Sequence, residues 1–365
     1  MLKSLSNRNV GIITFHCQYN CGSVLQTYAL QEAIKECGFS CTILNYYCKK
    51  DMHHYYVRWN NSFRIIAFDI LTLPRKMFQY KKFKNFHKCY YDNLSKCTTD
   101  LKELRTISDD CSRLVCGSDQ IWNMKIDDSF SAYFLSFATP EQRKISYAPS
   151  TNSEVIENQY IDQFVAALND FTYISVRDEK IASQLSDLLN RDVQCVLDPT
   201  LLHKSLFWDN LIQNYQRITL PTKYIFVYCL GRVSLTGLIK TAEEFAKANN
   251  AEIVYYYKTN VHVSSPSKNI FCNGPLAFIY AIKNANYVIG DSFHACAFAI
   301  LYNKQFAYNL NSTRINELMK KLNIKNRLIG VDWSVNEQVD YKKVNRLLDI
   351  YRKDSMGFLR KALLK

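Results

Sequence analysis

The chain has 365 residues, 48% of them hydrophobic and 22% charged, a composition typical of a globular protein and not of a disordered one. Its length is enough for two domains of ordinary size. The formal net charge of +13 favours an acidic partner. No RNP, zinc-finger or helix-turn-helix motif accompanies that charge, so we expect no nucleic-acid partner.

Neither a membrane span nor a secretory signal is predicted. Asp69 interrupts the apolar run Ile65–Leu73, and the N-terminus lacks an apolar core followed by a small-residue cleavage site. The thirteen cysteines are odd in number and none are spaced Cys-x-x-Cys, which argues against a complete set of disulfides and against a metal site. We therefore expect a cytoplasmic protein with reduced cysteines.

The chain opens with a predicted strand–helix–strand unit. Val10–Phe15 is typical of a buried strand, Ser23–Cys37 of an amphipathic helix, and Ser40–Tyr46 of a second strand. This order predicts a parallel sheet, because strands joined through a helix run in the same direction. The first loop has one glycine, Gly22, so the Gly-x-Gly-x-x-Gly dinucleotide motif is absent.

Residues 47–100 carry the least regular pattern in the chain. Their centre, Arg75–Lys88, interleaves six basic residues with four aromatic ones. Two interpretations are open. The one we favour is an ordinary helix that buries its rings and leaves its lysines in water. The other is a basic-aromatic patch that contacts lipid headgroups at the inner face of the membrane.

Further strands are predicted before residue 200, and polar residues follow them. Arg113–Cys116 leads into Gly117-Ser118-Asp119-Gln120, which places polar side chains at the carboxyl end of a strand. The remaining predicted strands of this series are Lys144–Ala148, Tyr173–Val176 and Val193–Leu197, with a helix at Val155–Leu168 and another starting at Arg177-Asp178.

A second α/β series follows residues 203–222, which have few regular signals. Its predicted elements are strands at Tyr224–Tyr228, Glu252–Tyr257, 287–289 and near Phe306, and helices at Leu235–Ala248, Gly274–Lys283 and up to Leu322. The predicted fold is therefore α/β, with two Rossmann-like domains facing each other across a cleft. The predicted domains are residues 1–205 and 206–340, followed by a basic helical tail at 341–365.

The stretch Tyr287–Ile300 predicts a strand, a tight turn and a small apolar helix, with Ser292 and His294 at the turn. In open α/β sheets, ligands bind at the carboxyl ends of strands, where helix N-termini favour anions. A histidine there suits general acid–base chemistry near neutral pH. A structural histidine that braces the helix is the alternative.

Seven stretches together resemble the polysaccharide pyruvyl transferases and occur in that family's order. They are GIITFHCQYNCGSVLQTYALQ, VCGSDQIWN, KISYAPS, ISVRDE, VLDPTLL, DSFHACAFAI and NSTRINELMKKL. The resemblance implies a glycosyltransferase-B-like fold. It also implies transfer of a pyruvyl group from phosphoenolpyruvate to sugar hydroxyls, which forms a ketal and uses phosphoenolpyruvate as co-substrate without a cofactor. The acceptor is a saccharide that is free, polymeric or lipid-linked.

The resemblance also implies roles for single residues. His294 matches the histidine of the family's Ser-Phe-His-Gly motif, and Arg177 matches the arginine of its Val-Arg-Glu/Asp motif. We expect His294 to be the catalytic acid–base, and Arg177, Arg314 and Ser292 to bind the donor, since a guanidinium binds carboxylate or phosphate in a bidentate way. The alternative for both arginines is a salt bridge with a nearby acidic residue.

A third group of polar residues is expected to line the cleft and contact the acceptor. Its members are His16, Asn20, Gly22, Gln26, Ser118, Asp119 and Gln120. For the residues around the first helix, the alternative is a well-capped helix without a ligand. Two other functions stay open: a nucleotide-sugar-dependent glycosyltransferase, and a non-catalytic carbohydrate-binding relative.

Overall fold

The structure, a computed structural model, describes residues 8–17, 19–47, 62–124, 130–151, 153–215, 218–231, 235–309, 312–325, 327–330 and 337–364. The chain divides into two compact units. Unit 1 comprises Met1–His54, Phe86–Leu202 and Asp349–Lys365, and unit 2 comprises Tyr55–Asn85 and His203–Leu348. The units therefore do not follow the simple succession 1–205, 206–340 and 341–365 that the sequence predicted.

Unit 1 is built on a six-stranded parallel sheet. Its strands are β1 (Asn9–Ile13), β2 (Ser40–Ile43), β3 (Arg113–Cys116), β4 (Arg143–Ser146), β5 (Tyr173–Val176) and β6 (Gln194–Cys195). They lie in the order β2-β1-β3-β4-β5-β6, and every neighbouring pair is parallel, as predicted. The strand order reverses direction between β1 and β3, the position where open α/β sheets bind ligands.

Unit 2 is built on a five-stranded parallel sheet. Its strands are β7 (Tyr224–Tyr228), β8 (Glu252–Tyr256), β9 (Ser267–Asn269), β10 (Tyr287–Gly290) and β11 (Gln305–Tyr308). Their order, β11-β10-β7-β8-β9, is that of a Rossmann fold and reverses between β7 and β10. The sequence did not predict β9, because this edge strand is short, largely exposed and has no apolar pattern.

Helices connect the strands of both sheets. In the described residues they are α1 (Cys21–Glu36), α2 (Phe63–Tyr90), α3 (Leu101–Ile107), α4 (Phe130–Tyr133), α5 (Ile161–Leu168), α6 (Glu179–Leu189), α7 (Pro199–Leu202), α8 (Ser205–Leu211), α9 (Leu235–Asn249), α10 (Gly274–Asn284), α11 (Phe293–Leu301), α12 (Thr313–Lys321) and α13 (Tyr341–Leu364). No described helix has both the length and the apolar sequence needed to cross a bilayer.

The helix that follows β10 lies in the centre of unit 2. All nine residues of α11 are buried, which agrees with its apolar, small-residue sequence. Phe298 packs edge-on against Trp208 and Phe278, with ring centroids 4.8 Å and 5.5 Å away. This packing fixes the helix, and therefore the turn from which it starts, in one position.

The two longest helices explain why the units are discontinuous in sequence. The unit boundary at Asn85/Phe86 falls inside α2, and the boundary at Leu348/Asp349 falls inside α13. At the end of α13, Arg113 Nε donates to the carbonyl of Leu363 (2.6 Å) and Arg143 Nη1 to that of Ala362 (3.3 Å). Because these arginines satisfy carbonyls that lack an intrahelical partner, the C-terminal segment belongs to unit 1 and is no separate tail.

Only part of the predicted basic-aromatic segment 75–88 buries its rings. Phe83 and Phe86 are 0% and 2% exposed, whereas Phe78 is 51% exposed. The segment is helical, as our favoured interpretation required, but α2 also presents apolar side chains to solvent.

We expect a substitution at Gly117 to disturb the loop that follows β3, Gly117–Gln120, called the β3 loop below. Gly117 has φ +128, and a Cβ atom there would lie 1.9 Å from the carbonyl oxygen of Tyr147. Gly117→Ala should therefore lower the free energy of unfolding by about 3 kcal/mol or more, measured by urea denaturation. Gly357→Ala is the control, since a Cβ at Gly357 in α13 has no atom within 4 Å. Equal free energies of unfolding for the two variants would contradict the steric requirement for glycine at position 117.

Candidate active-site residues in the two units

In unit 1, the side chain of Gln26 holds together the two segments that meet at the β1/β3 reversal. Gln26 is fully buried. Its amide nitrogen donates to Thr14 Oγ1 (2.9 Å) and to the carbonyl of Ser23 (3.0 Å), and its oxygen accepts from the backbone N–H of Ser118 (3.1 Å). Thr14 Oγ1 donates in turn to the carbonyl of Ser118 (3.0 Å). Gln26, which the sequence predicted to line a cleft, thus holds the β3 loop in place.

The start of α1 contacts the β3 loop directly. Ser23 Oγ donates to Asp119 Oδ2 (2.7 Å), and the other carboxylate oxygen accepts from the N–H of Gln120 (2.9 Å). Asn20 caps α1 by accepting from the N–H of Gly22 (2.9 Å). Asn20, Gly22, Ser118, Asp119 and Gln120 therefore lie around the reversal point, and the N-terminus of α1 is capped.

His16 contacts the same network through the backbone of Thr14. It is 1% exposed, and its ring nitrogens lie 3.1 Å from the carbonyl of Thr14 and 2.9 Å from Asn45 Oδ1. Burial lowers the pKa of His16, although both hydrogen bonds act in the opposite direction. A buried neutral imidazole with both nitrogens engaged is a structural group that joins β1 to the segment after β2.

Arg177, directly after β5, forms a buried ion pair with Asp198. Arg177 Nη1 lies 2.8 Å from Asp198 Oδ2, and the two side chains are 5% and 0% exposed. The same carboxylate oxygen accepts from Ser118 Oγ (3.1 Å), and the other accepts from Thr200 Oγ1 (2.7 Å). The salt bridge that the sequence left open as an alternative is present, but its acidic partner is Asp198 and not a residue adjacent to Arg177.

Loss of Arg177 should destabilise unit 1, because Asp198 would keep a buried charge without its cation. We expect Arg177→Ala to lower the free energy of unfolding by about 3 kcal/mol, measured by urea denaturation. Lys96→Ala is the control: Lys96 pairs with Glu103 at 3.4 Å on the surface, and its loss should cost less than about 1 kcal/mol. If Arg177→Ala is as stable as Lys96→Ala, the ion pair has no structural role.

In unit 2, Asp291 fixes the turn between β10 and α11. This residue is fully buried, and its Oδ1 accepts from the N–H of Leu230 (2.8 Å), just beyond the end of β7. The Cys229 thiol donates to Oδ2 at 3.5 Å, and burial together with the neighbouring carboxylate raises the pKa of that thiol to about 12. Asp291 thus joins the two strands between which the order of the sheet reverses.

Ser292 and His294 follow this turn. Ser292 occupies the N-cap position of α11 in an extended conformation, and its hydroxyl does not cap the helix. His294 is the second residue of the helix and is 4% exposed, with its ring perpendicular to that of Phe293 at 5.3 Å. Both residues therefore lie at the ligand-binding edge of the sheet of unit 2.

Arg314 lies at the same edge of the same sheet. It is the second residue of α12, which follows β11, and it is 5% exposed. Because β11 is the parallel neighbour of β10 and α11 contacts α12, Arg314 and His294 both start helices at the carboxyl ends of adjacent strands. Among the predicted site residues, His294, Ser292 and Arg314 thus share one end of the sheet of unit 2.

Three residues of these networks were not predicted: Thr14, Asp198 and Asp291. Asp198 directly follows the predicted strand Val193–Leu197, and Asp291 follows the predicted strand 287–289 after one glycine, a signal that could have identified both. Thr14 lay inside the predicted strand Val10–Phe15, whereas β1 ends at Ile13. In the residues that the structure describes, no group of three His, Cys, Asp or Glu side chains is arranged for a metal ion. The cysteines among them are free thiols.

Two Rossmann-like units with polar residues at their reversal points define an α/β protein of the glycosyltransferase-B-like class, which confirms the predicted fold class. The family model for polysaccharide pyruvyl transferase matches residues 20–311, most of the chain. The chain therefore belongs to the polysaccharide pyruvyl transferase family. No match was found among curated proteins.

Solved structures with the same fold include two sugar-nucleotide enzymes. UDP-N-acetylglucosamine 2-epimerase from Neisseria meningitidis, bound to UDP-GlcNAc, has a TM-score of 0.52 at 10% identity, over 98% of this chain and 99% of that one. The enzyme of the same name from Rickettsia bellii has a TM-score of 0.51 at 8% identity, over 98% of this chain and 97% of that one. At such low identity the likeness concerns the fold alone.

Proposed function

We propose that this member of the family transfers a pyruvyl group from phosphoenolpyruvate to two hydroxyls of a sugar in a polysaccharide or its precursor. The observation that carries the proposal is the grouping of His294, Ser292 and Arg314 at one end of the unit 2 sheet, in a chain of the pyruvyl transferase family. The reaction uses phosphoenolpyruvate as co-substrate and no cofactor. Because phosphoenolpyruvate is an intracellular metabolite, the proposed location is the cytoplasm.

The proposed reaction begins with proton transfer from His294 to the methylene carbon of phosphoenolpyruvate. The resulting oxocarbenium-like carbon is attacked by one sugar hydroxyl, whose proton returns to the imidazole of His294. The bond from that carbon to the phosphate oxygen then breaks, and phosphate leaves with the bonding electron pair. A second hydroxyl of the same sugar attacks the same carbon and closes the ketal ring, and its proton is taken up by the departing phosphate. A positioned histidine serves such proton transfers near neutral pH.

Arg314 and the start of α11 are the proposed donor contacts. Phosphoenolpyruvate carries a carboxylate and a phosphate, and a guanidinium binds either one with two parallel hydrogen bonds. The N-terminus of α11 adds N–H groups and a favourable dipole, beside a Ser292 hydroxyl that does not cap the helix. Arg177 stays a predicted donor contact. Its Nη1 group already pairs with Asp198.

The acceptor contacts in unit 1 also stay a proposal. Asn20, Gly22, Ser118, Asp119 and Gln120 lie around the β1/β3 reversal, where carboxylate, amide and backbone groups suit sugar hydroxyls. Of the other two residues predicted to contact the acceptor, Gln26 is buried and accepts directly from the N–H of Ser118, and His16 is buried and contacts Asn45.

His294→Ala should abolish turnover without abolishing donor binding. Phosphate release from phosphoenolpyruvate, measured with a panel of p-nitrophenyl glycosides as acceptors, should fall by about 10²–10⁴-fold, the usual contribution of a general acid–base. Stabilisation by phosphoenolpyruvate in a thermal shift assay should persist. His262→Ala, at an exposed histidine of the same unit, is the control and should keep wild-type turnover. Near-wild-type activity of His294→Ala would exclude the assigned role.

Arg314→Ala should instead weaken donor binding. Loss of a charge-assisted hydrogen-bond pair should raise KM for phosphoenolpyruvate by about tenfold or more and remove the thermal shift. Arg346→Ala, at an exposed arginine of α13, should leave both unchanged. If the wild-type protein is stabilised by UDP-sugars and not by phosphoenolpyruvate, the donor is a nucleotide sugar and the proposed reaction is wrong.

A further inference from the structure

The outward face of α2 carries large apolar side chains. The exposed fractions are 84% for Phe63, 79% for Leu71, 51% for Phe78, 48% for Ile70 and 42% for Met77. With 3.6 residues per turn, these five positions fall within an arc of about 120°, and from Phe63 to Phe78 they extend about 22 Å along the helix. A contiguous exposed apolar face of this kind marks an interaction site.

The opposite face of α2 is buried in unit 2 and carries the polar side chains of Asp69 and Gln79 beside the ring of Phe83. Asp69 is 1% exposed and its Oδ1 lies 2.9 Å from Lys76 Nζ. Gln79 is 5% exposed and its amide nitrogen donates to the hydroxyl of Tyr256 at 2.8 Å. Because Tyr256 lies on β8 and not on α2, a rotation of α2 that hid the apolar face would break the hydrogen bond of Gln79 and would expose the buried ring of Phe83. The apolar face is therefore fixed outward.

Basic residues border the apolar face. The next turn of α2 on the same side exposes Lys81, Lys82 and Lys84, and Lys82 Nζ lies 5.3 Å from the ring centroid of Phe78. Lys258, also exposed, places its Nζ 5.8 Å from the ring centroid of Phe68. The chain as a whole carries a net charge of +13. A partner for this surface must therefore accept apolar side chains and supply negative charge.

We propose that this α2 surface (Phe63, Ile70, Leu71, Met77 and Phe78 with Lys81, Lys82 and Lys84) docks the protein on an anionic lipid bilayer. An amphipathic helix with basic residues lies in the plane of the interface, its apolar side chains inserted about 5–10 Å and its lysines at the phosphates. A second copy of the chain would cover the apolar face, but it carries the same net charge of +13, so charge complementarity favours an anionic surface. The lipid surface satisfies both requirements.

Vesicle flotation tests this surface directly. The full-length protein should float with phosphatidylcholine vesicles that contain about 30% phosphatidylglycerol, and at least tenfold less with pure phosphatidylcholine. Leu71→Glu/Phe78→Glu should reduce the bound fraction at least tenfold. Lys81→Gln/Lys84→Gln should weaken binding by roughly fivefold per lysine, with a smaller dependence on salt than the wild type.

Leu206→Glu is the matched control, because Leu206 in α8 is 67% exposed but lies outside the α2 surface. Equal loss of flotation in this control and in Leu71→Glu/Phe78→Glu would overturn the proposal. It would also be overturned if the wild type did not float and sedimented as a dimer that the α2 variant split into monomers. His294→Ala should float like the wild type, so failure of the transferase assignment and failure of this proposal are separable.

Discussion

The buried carboxylate of Asp198 links three segments of unit 1. It accepts from Arg177 after β5, from Ser118 after β3 and from Thr200 at the start of α7. A carboxylate taken out of water is costly unless cations and donors surround it, so each of these segments is constrained by the needs of one charged group. Two contacts therefore fix the β3 loop: the hydroxyl of Ser118 donates to Asp198, and its N–H donates to the amide oxygen of Gln26.

Unit 2 also has a buried aspartate at the point where its strand order reverses. Asp291 is buried and accepts from the N–H of Leu230, which connects the turn after β10 to the end of β7. His294 lies in the first turn of α11, three residues later, and every residue of that helix is buried. The rigid turn and the buried helix together place the proposed acid–base with little freedom, which is the condition that precise proton transfer imposes.

Buried polar groups also determine the orientation of α2. Gln79 faces inward, where its amide nitrogen donates to the hydroxyl of Tyr256, and the consequence is that Phe63, Leu71 and Phe78 face outward. The helix thus buries polar side chains on the inner side together with Phe83 and exposes a row of apolar side chains on the outer side. An apolar face outside and lysines beyond it suit an anionic lipid surface.

The sequence alone determined the parallel α/β class, since alternating apolar runs and amphipathic helices permit few other folds, and it placed β3, β5 and β7 at the correct residues. It also identified the polar residues that follow the strands, including His294. Tertiary structure decided which of these residues are buried and hydrogen-bonded inside unit 1, such as Gln26 and His16. It also decided the partner of Arg177, because Asp198 is distant in sequence but follows the neighbouring strand of the sheet. It likewise decided which side of α2 faces inward. Gln79 bonds to Tyr256, far along the chain, and no periodicity in the sequence reveals that contact.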